Sequence, residues 1–473
     1  MRDCSPPQPS FADFELRAQG LTLNDTLQTV ARFLDQHPHL LERVRQDLVR
    51  GLRHPRAGRT GLTAEQVLRS LVLQRIKDWD LRELRERIAD GYTLRLFTGF
   101  LSAPVPGHDA FHRAFCRLTP TTVRWLNDAV LRGAATLGLE DGQKLRGDTT
   151  VVETDIHYPT DSTLLWDGVR VITRLIGKLR AALPALPAPF ANRTRGARRR
   201  MQEIQRLTAK QRTEQQVPKY RALITITATV VQAARAVVAG AVRTDQTEPL
   251  TAALIAALTN EISTYCDRTD RVLAQTRRRV LQGESVPTAD KLFSIFEVHT
   301  DLIKRGKAQK PVEFGHKVLL DESGCGLITD YQVLDGNPTD AGHVAPSLKR
   351  HDELFHKAPE VFARDRGFYS PDALKACQDA GVAVECIPQR GGRKTPERAA
   401  YEKSRPFRQG QRFRAGSEGR ISVLFRGRGM RRCLLHGEER FEAFVGTAVL
   451  ANNLLVIAEL LKRRAARRRR RAA

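Results

Sequence analysis

The chain has 473 residues, and its 78 lysines and arginines outnumber its 53 aspartates and glutamates to give a formal charge of +25. This length exceeds one ordinary domain, so two or three folded units are expected. The charge favours a polyanionic partner, because each neutralised phosphate releases counterions. No GxxxxGK[ST], GxGxxG or GxSxG motif occurs, which argues against ATP-driven chemistry, a nucleotide cofactor and an α/β-hydrolase nucleophile.

Cysteine usage and hydropathy indicate a cytoplasmic protein. The seven cysteines are scattered and form no CxxC pair, which argues against a disulfide framework and a thiolate zinc site. The opening "MRDCSPPQPS" has no apolar stretch, so no signal peptide is expected. Segment 222–242 is apolar but contains Arg235, which would cost about 3 kcal/mol inside a bilayer. We therefore predict a buried helix there and no membrane partner.

Residues 1–138 are predicted to form a helical N-terminal domain for DNA binding or assembly. In "TAEQVLRSLVLQRI", Thr63 precedes Gln66 by three residues, a capping-box arrangement, and apolar residues follow at helical spacing. "DLRELRERI" repeats the arrangement with Asp80 and Glu83. Arginines alternate with these apolar positions, and either DNA contact or simple solvation explains them.

The pattern changes at residues 139–162, where β-branched residues predict the first strand of a second domain. Residues 163–303 read as a basic helical insertion, and residues 304–461 as the remainder of that domain. Its predicted elements are strands at 312–320 and 325–335 joined as a hairpin, a strand ending at Asp365, a helix from Ser370-Pro371 to Gly381, a strand at 382–388, and a mobile loop at 389–406. Residues 462–473 form a basic tail.

Without the insertion, three meandering strands precede alternating helices and strands. This is the order of an RNase H-like core, a mixed sheet with helices on both faces. The predicted fold class is therefore mixed α/β, with an RNase H-like catalytic core, a helical N-terminal domain and a helical insertion between the first and second core strands.

Three carboxylates occupy the positions that metal-dependent phosphoryl transfer requires in such a core. Asp148 lies in the first strand, Asp365 at the end of the fourth, and Glu418 in a later, weakly helical segment between Gly416 and Gly419. Two Mg²⁺ ions about 4 Å apart would fit such oxygen ligands. The glycines suggest close approach by something bulky. Alternatively, Asp365 is an ion-paired surface residue and Glu418 an ordinary linker residue.

Other polar residues compete for these roles. Asp155 and Asp161 are rivals for the first acid, but Asp155 lies towards the exit of the strand, so Asp148 is favoured. His157 and Tyr158 follow that strand, and either contact with the DNA end or a structural turn explains them.

Two histidine-containing groups also need an interpretation. His108 and His112 lack the glutamate of a zincin motif, which favours a surface pair on a helix. Asp340 and His343 lie in a loop that either borders the site or forms an ordinary turn.

Four stretches carry a family resemblance: "RGDTTVVETDIHYPTDSTLLWDGVRVITR", "FGHKV" with "GNPTDAGH", "ARDRGFYS" and "RAGSEGRISVLFRGRGMRRC". Over residues 60–460 the chain resembles bacterial insertion-sequence transposases of the DDE class, closest to the ISNCY-type group. The resemblance implies that Asp148, Asp365 and Glu418 are catalytic and bind two Mg²⁺ or Mn²⁺ ions. It also implies cleavage at element ends, followed by attack of a 3′-hydroxyl on target DNA.

The resemblance further implies double-stranded DNA as partner, both terminal repeats and target, with at least a homodimer in the bacterial nucleoid. Related families show a Tyr-x₂-Arg-x₃-Glu motif, in which Arg414 fits and Gln411 replaces the tyrosine. The DNA-contacting residues that we expect are Arg414, Arg366, His157, Tyr158, Arg198, Arg199 and Arg200. An RNase H-like nuclease without strand joining, or a DNA-binding protein without catalysis, remains as an alternative.

Overall fold

The computed structural model describes residues 22–55, 60–184, 186, 188–244, 248–304 and 311–472, together with Cys4, Phe11, Phe14 and Ala18. The chain divides into two compact units. The first contains the chain up to Glu153 and again from Gly315 onwards, and the second contains Thr154–Phe314.

The N-terminal part of the first unit is helical. Its helices are α1 (Asp25–Asp35), α2 (His39–Val49), α3 (Ala64–Lys77), α4 (Leu81–Asp90), α5 (Tyr92–Thr98), α6 (His108–Phe115) and α7 (Pro120–Thr136). The capping box at the start of α3 is confirmed, because Thr63 and Gln66 each accept a hydrogen bond from the other's backbone N–H. Asp80 caps α4 by accepting from the N–H groups of Arg82 and Glu83. These local signals fix where the helices begin.

In the described part of the second unit lie four helices and a short strand, with a hydrophobic core of their own. They are α8 (Asp161–Ala182), α9 (Thr194–Gln205), α10 (Ala209–Val242), α11 (Pro249–Thr276) and β2 (Asp301–Lys304). The segment 222–242 is helical as predicted, but it is not fully buried. Only 39% of the most apolar window of α10 is buried, because α10 presents one apolar stripe to the core and exposes its alanine- and threonine-rich side.

The described residues form a mixed sheet of seven strands, to which β2 belongs. The other six strands are β1 (Lys144–Thr154), β3 (Val312–Ser323), β4 (Ile328–Leu334), β5 (Val361–Ala363), β6 (Val384–Cys386) and β7 (Arg432–Cys433). β1 lies between β3, which is antiparallel to it, and β5, which is parallel. β4 continues the antiparallel side, and β6 continues the parallel side. The predicted hairpin between β3 and β4 is confirmed.

Helices cover both faces of this sheet. They are α12 (Val344–Phe355), α13 (Pro371–Asp379), α14 (Pro396–Lys403), α15 (Arg405–Gly427) and α16 (Glu438–Ala472). Because successive side chains of a strand point to opposite faces, Leu145 packs with α12 and α13 on one face. Val152 packs with α15 and α16 on the other. By length and composition, α10 and α16 could cross a membrane, but 72% of the apolar window of α16 is buried.

One expectation for the loops is wrong. The predicted mobile loop 389–406 contains α14, which begins after the N-cap Thr395 and Pro396. Arg398 of α14 also pairs with Glu385 at 2.9 Å and with Glu402 at 3.0 Å, which anchors the segment. The basic tail from residue 462 continues α16 to Ala472, with Arg463 paired to Glu459 one turn earlier.

Gly147 in β1 leaves room for a buried ion pair. Arg364 has no exposed side-chain surface and lies 2.6 Å from the equally buried Asp321. A Cβ atom on residue 147 would lie 1.5 Å from Nη1 of Arg364 and 2.4 Å from Oδ1 of Asp321. Any side chain at this position must therefore displace the ion pair.

We expect Gly147→Ala to lower the free energy of unfolding by about 3 kcal/mol or more, because it overpacks the core and separates two buried charges. Gly419→Ala is the control, since a Cβ there meets nothing within 4 Å inside helix α15. That change should raise stability by up to about 1 kcal/mol. Urea unfolding of both variants measures the difference, and equal stabilities would contradict the steric argument.

Candidate active site

Two of the three predicted carboxylates come together at one edge of the sheet. In the parallel pairing of β1 with β5, the last paired residues are Arg146 and Ala363. Asp148 follows two residues later in β1, and Asp365 lies two residues beyond Ala363, in extended backbone just past the end of β5. If the pairing register continues, the two side chains lie level and on the same side. This arrangement follows from strand register alone.

The surroundings of Asp148 disfavour its charged form. Burial and the nearby Asp365 carboxylate raise the pKa of Asp148, against the opposing effects of the Thr149 N–H and of Arg414 and Arg364. The Thr149 N–H donates to Oδ1 of Asp148 at 2.8 Å, and Nη1 of Arg414 lies 3.6 Å from Oδ2. The ionised form of Asp148 is therefore incompletely compensated by its neighbours.

Asp365 is not the ion-paired surface residue of the alternative interpretation. Its neighbour Arg364 points into the core towards Asp321, and Arg366 is exposed. The carboxylate of Asp365 caps a short 3-10 turn by accepting from the Gly367 N–H at 2.8 Å. Within the described residues it has no ion-pair partner. Of the two flanking arginines, Arg364 therefore forms an ion pair in the core, whereas Arg366 is exposed to solvent.

Glu418 does not join the aspartates in this structure. It lies within α15, where its side chain is exposed and makes no hydrogen bond or ion pair to another described residue. Arg414, four residues earlier, shares its side of the helix and reaches Asp148. Helix α15 therefore lies next to β1, the strand of Asp148, but the Glu418 carboxylate does not form a group with Asp148 and Asp365.

The expected close approach of a bulky group is confirmed at Gly416 but not at Gly419. A Cβ on Gly416 would lie 2.1 Å from Nη1 of Arg146, whereas a Cβ on Gly419 would meet nothing within 4 Å. The bulky neighbour of Gly416 is therefore an arginine of β1. Gly419 borders open space.

Asp340 borders the candidate site, as one interpretation of its loop predicted. Its Oδ1 accepts from Thr149 Oγ1 at 3.1 Å and pairs with the Lys317 ammonium at 2.8 Å. A Cβ on Gly367 would lie 3.1 Å from Asp340 Oδ2 and 2.9 Å from Asp365 Oδ1, so both carboxylates flank this glycine. Burial lowers the pKa of the nearby His343, which favours its neutral form.

Sequence reasoning missed the charged residues inside β3. Lys317 and the adjacent acids Asp321 and Glu322 are all buried. Consecutive acids in an apolar strand point to opposite faces, so each needs a cation of its own on a different face. The pair "DE" after "VLL" was the available signal, and its partners are Arg364 for the first acid and Arg146 for the second.

In the second unit, His157 and Tyr158 have different surroundings. Nε2 of His157 lies 2.7 Å from Oδ2 of the buried Asp167, and this hydrogen bond raises the pKa of His157. The structural interpretation of His157 therefore has support, since Asp167 also pairs with Arg170. Tyr158 is 70% exposed and meets the ring of Phe314 edge-on at 5.5 Å.

Two of the three arginines of α9 that were predicted to contact DNA form ion pairs within the helix. Arg199 and Arg200 pair with Glu203 at 3.0 and 2.7 Å, and the hydrogen bond from Arg200 lowers the pKa of Glu203 to about 2. Arg198 is exposed and has no ion-pair partner among the described residues. Of these three arginines, Arg198 is therefore the one whose charge is uncompensated.

The two rivals for the first acid, Asp155 and Asp161, both lie in the second unit. Asp161 is buried and pairs with Arg279 at 2.8 Å while accepting from Gln275 at 3.0 Å, so its role is structural. Asp155 is exposed. In the first unit, His108 lies 3.3 Å from its neighbour Asp109 on the surface of α6.

The donor set fits a hard divalent cation only in part. Asp148 and Asp365 offer carboxylate oxygens, which hard divalent cations prefer, and burial together with the Asp365 carboxylate raises the pKa of Asp148. In the described part of the chain, however, no group of three or more His, Cys, Asp or Glu residues is placed to hold a metal ion. The two aspartates would be the primary ligands, and Glu418 would have to turn inwards to join them.

Comparison with known proteins returns no match: no family model, no curated protein and no solved structure resembles the chain closely enough.

We expect Asp148→Asn to be more stable than the wild type at pH 7, by about 0.5–2 kcal/mol. A carboxyl whose pKa is raised by folding binds more protons in the folded state, so its ionisation at neutral pH costs stability. The amide removes that charge and can still accept from the Thr149 N–H.

The gain should shrink as the pH falls into the range where folded Asp148 is protonated, and urea unfolding at several pH values measures it. Asp379→Asn, at an exposed acid of α13, serves as the control and should leave stability unchanged. A less stable Asp148→Asn protein at pH 7 would contradict the electrostatic argument.

Proposed function

We propose that the protein is a DNA transposase of an insertion sequence, which cleaves phosphodiesters at the element ends and joins the freed 3′-hydroxyl to target DNA. The observation that carries the proposal is the pair Asp148, in β1, and Asp365, just past the end of the parallel strand β5, both without tight ion-pair partners among the described residues. Unneutralised carboxylates at a sheet edge in a chain of charge +25 suit metal-dependent chemistry on a polyanion.

The proposal includes an RNase H-like fold for the catalytic core. Its support is the strand arrangement β4-β3-β1-β5-β6, antiparallel on one side of β1 and parallel on the other. The chain between Glu153 and Gly315 would then be the insertion between the first and second core strands. Helices on both faces of the sheet agree with this assignment.

In the proposed reaction, Asp148 and Asp365 would hold Mg²⁺ or Mn²⁺, with Glu418 as a third ligand after a side-chain rotation. When bound, such ions activate the attacking oxygen and stabilise the leaving one. Arg414 lies beside Asp148 and would orient a DNA phosphate there. The exposed Arg366 would contact a second phosphate, since its charge has no partner among the described residues.

Cleavage and strand transfer on labelled DNA that carries the element's own ends test the proposal. With Mg²⁺ or Mn²⁺, wild type should give cut and joined products, and Asp365→Ala should reduce both by at least about 100-fold while still binding DNA. Asp379→Asn should behave like wild type. Cut DNA without joining would favour the nuclease, and binding with no metal-dependent cleavage would favour a DNA-binding protein without catalysis.

Metal binding gives a second test that needs no DNA. Mn²⁺ at about 100 times its dissociation constant should stabilise wild type by about 2.7 kcal/mol. The same Mn²⁺ concentration should leave Asp148→Asn and Asp365→Asn almost unchanged, whereas Asp379→Asn should respond like wild type. An equal thermal shift in all four proteins would place the ion elsewhere.

A further inference from the structure

A buried charge network connects the strand of Asp148 to helix α15. Glu322 of β3, whose side chain is 3% exposed, accepts from Nε of Arg146 at 2.8 Å and from Nε of Arg420 at 2.8 Å. Nη1 of Arg146 donates to the carbonyl oxygen of Phe413 at 2.5 Å, and the guanidinium lies 4.7 Å from the ring centre of Phe413. Arg146 therefore contacts β3 and α15 at once.

The contacts of this network lie on both sides of the segment of α15 that contains Arg414 and Glu418. Phe413 immediately precedes Arg414, and Arg420 follows Glu418 by two residues. On the strand side, Arg146 precedes Asp148 by two residues, so both side chains lie on the sheet face that α15 covers. One guanidinium thus fixes the distance between β1 and the helical turn that carries Arg414.

Gly416 makes this approach possible. Its missing side chain provides the space for Nη1 of Arg146, which would lie 2.1 Å from a Cβ atom at that position. A glycine within a helix costs about 1 kcal/mol relative to alanine. Gly416 therefore makes α15 less stable than alanine would, but it allows the close approach of Arg146. Gly419, three residues later in the same helix, has no such neighbour.

We propose that Arg146 is a positioning residue of the catalytic centre, which acts through Glu322, Arg420 and the Phe413 carbonyl to set α15 against Asp148. This inference rests on the proposed function for its catalytic consequence. Its structural content, that Arg146 in the space over Gly416 places Arg414 beside Asp148, stands without it.

The alternative is that the network only stabilises the fold. The ion pair of Arg398 with Glu385 provides the comparison, because its side chains are 15% and 14% exposed, close to the 14% of Arg146, and it anchors α14 instead. Arg398→Lys should cost thermal stability without affecting the carboxylate site. Arg146→Lys keeps the charge but loses the planar fork that reaches Glu322 and Phe413 together.

The sharpest test compares Gly416→Ala with Gly419→Ala, because the same change in one helix either displaces Arg146 or meets open space. In crystal structures, the Arg414 Nη1 to Asp148 Oδ2 distance should stay near 3.6 Å in Gly419→Ala. In Gly416→Ala it should lengthen by about 1 Å or more. An unchanged distance in Gly416→Ala would overturn the proposal, whether or not the protein cuts DNA.

Single-turnover cleavage at saturating DNA then measures the catalytic consequence. Gly416→Ala and Arg146→Lys should cut at least about 10-fold more slowly with DNA affinity unchanged, since a shift of about 1 Å in a positioned group can cost about 100-fold. Gly419→Ala and Arg398→Lys should cut at the wild-type rate. Equal slowing in Arg146→Lys and Arg398→Lys would mean that the network is only structural. Absence of cleavage in wild type would instead reject the proposed function and leave the distance test standing.

Discussion

The ion pair between Arg364 and Asp321 is the constraint on which the arrangement of the candidate site depends. Both side chains are fully buried and lie 2.6 Å apart, beneath the point where β1 has only a glycine. The guanidinium also lies 4.7 Å from the ring centre of Phe362 and 5.1 Å from that of Phe368. Because separating a buried pair leaves an uncompensated charge, the end of β5 is tightly fixed relative to β1 and β3. The next residue along the chain is Asp365, so the pair places that carboxylate.

Two groups of ion pairs lie on opposite faces of the sheet, and each fixes elements that border the two aspartates. On one face, Arg364 with Asp321 and Lys317 with Asp340 fix β5 and the turn after β4. On the other face, Glu322 joins Arg146 to Arg420 and thereby fixes α15. Consecutive acids of β3 contribute one carboxylate to each group. A single strand thus determines the position of both the turn and the helix that border the candidate site.

Local signals in the sequence predicted the elements well, and strand order predicted which carboxylates would meet. Thr63 and Ser370 mark helix starts through contacts within one turn, which is why sequence alone reveals them. Asp148 and Asp365 meet because parallel strands place equivalent positions side by side. The reason for Gly416 could not be read locally, since its neighbour Arg146 lies far away in the chain. Nor could the position of Glu418 be read, because side-chain direction on a helix depends on how that helix packs.

The distribution of arginine partners explains how a site in so basic a protein keeps its negative charge. Arg364 and Lys317 lie 2.6 and 2.8 Å from Asp321 and Asp340, and Arg146 and Arg420 each lie 2.8 Å from Glu322. These cations are held by acids other than the two aspartates. Among the described residues, Arg414 is the ion-pair partner of Asp148, at the longer distance of 3.6 Å, and burial and the Asp365 carboxylate still raise the pKa of Asp148. Because Arg364, Lys317, Arg146 and Arg420 are paired with Asp321, Asp340 and Glu322, these four cations do not neutralise the aspartate pair through ion pairs.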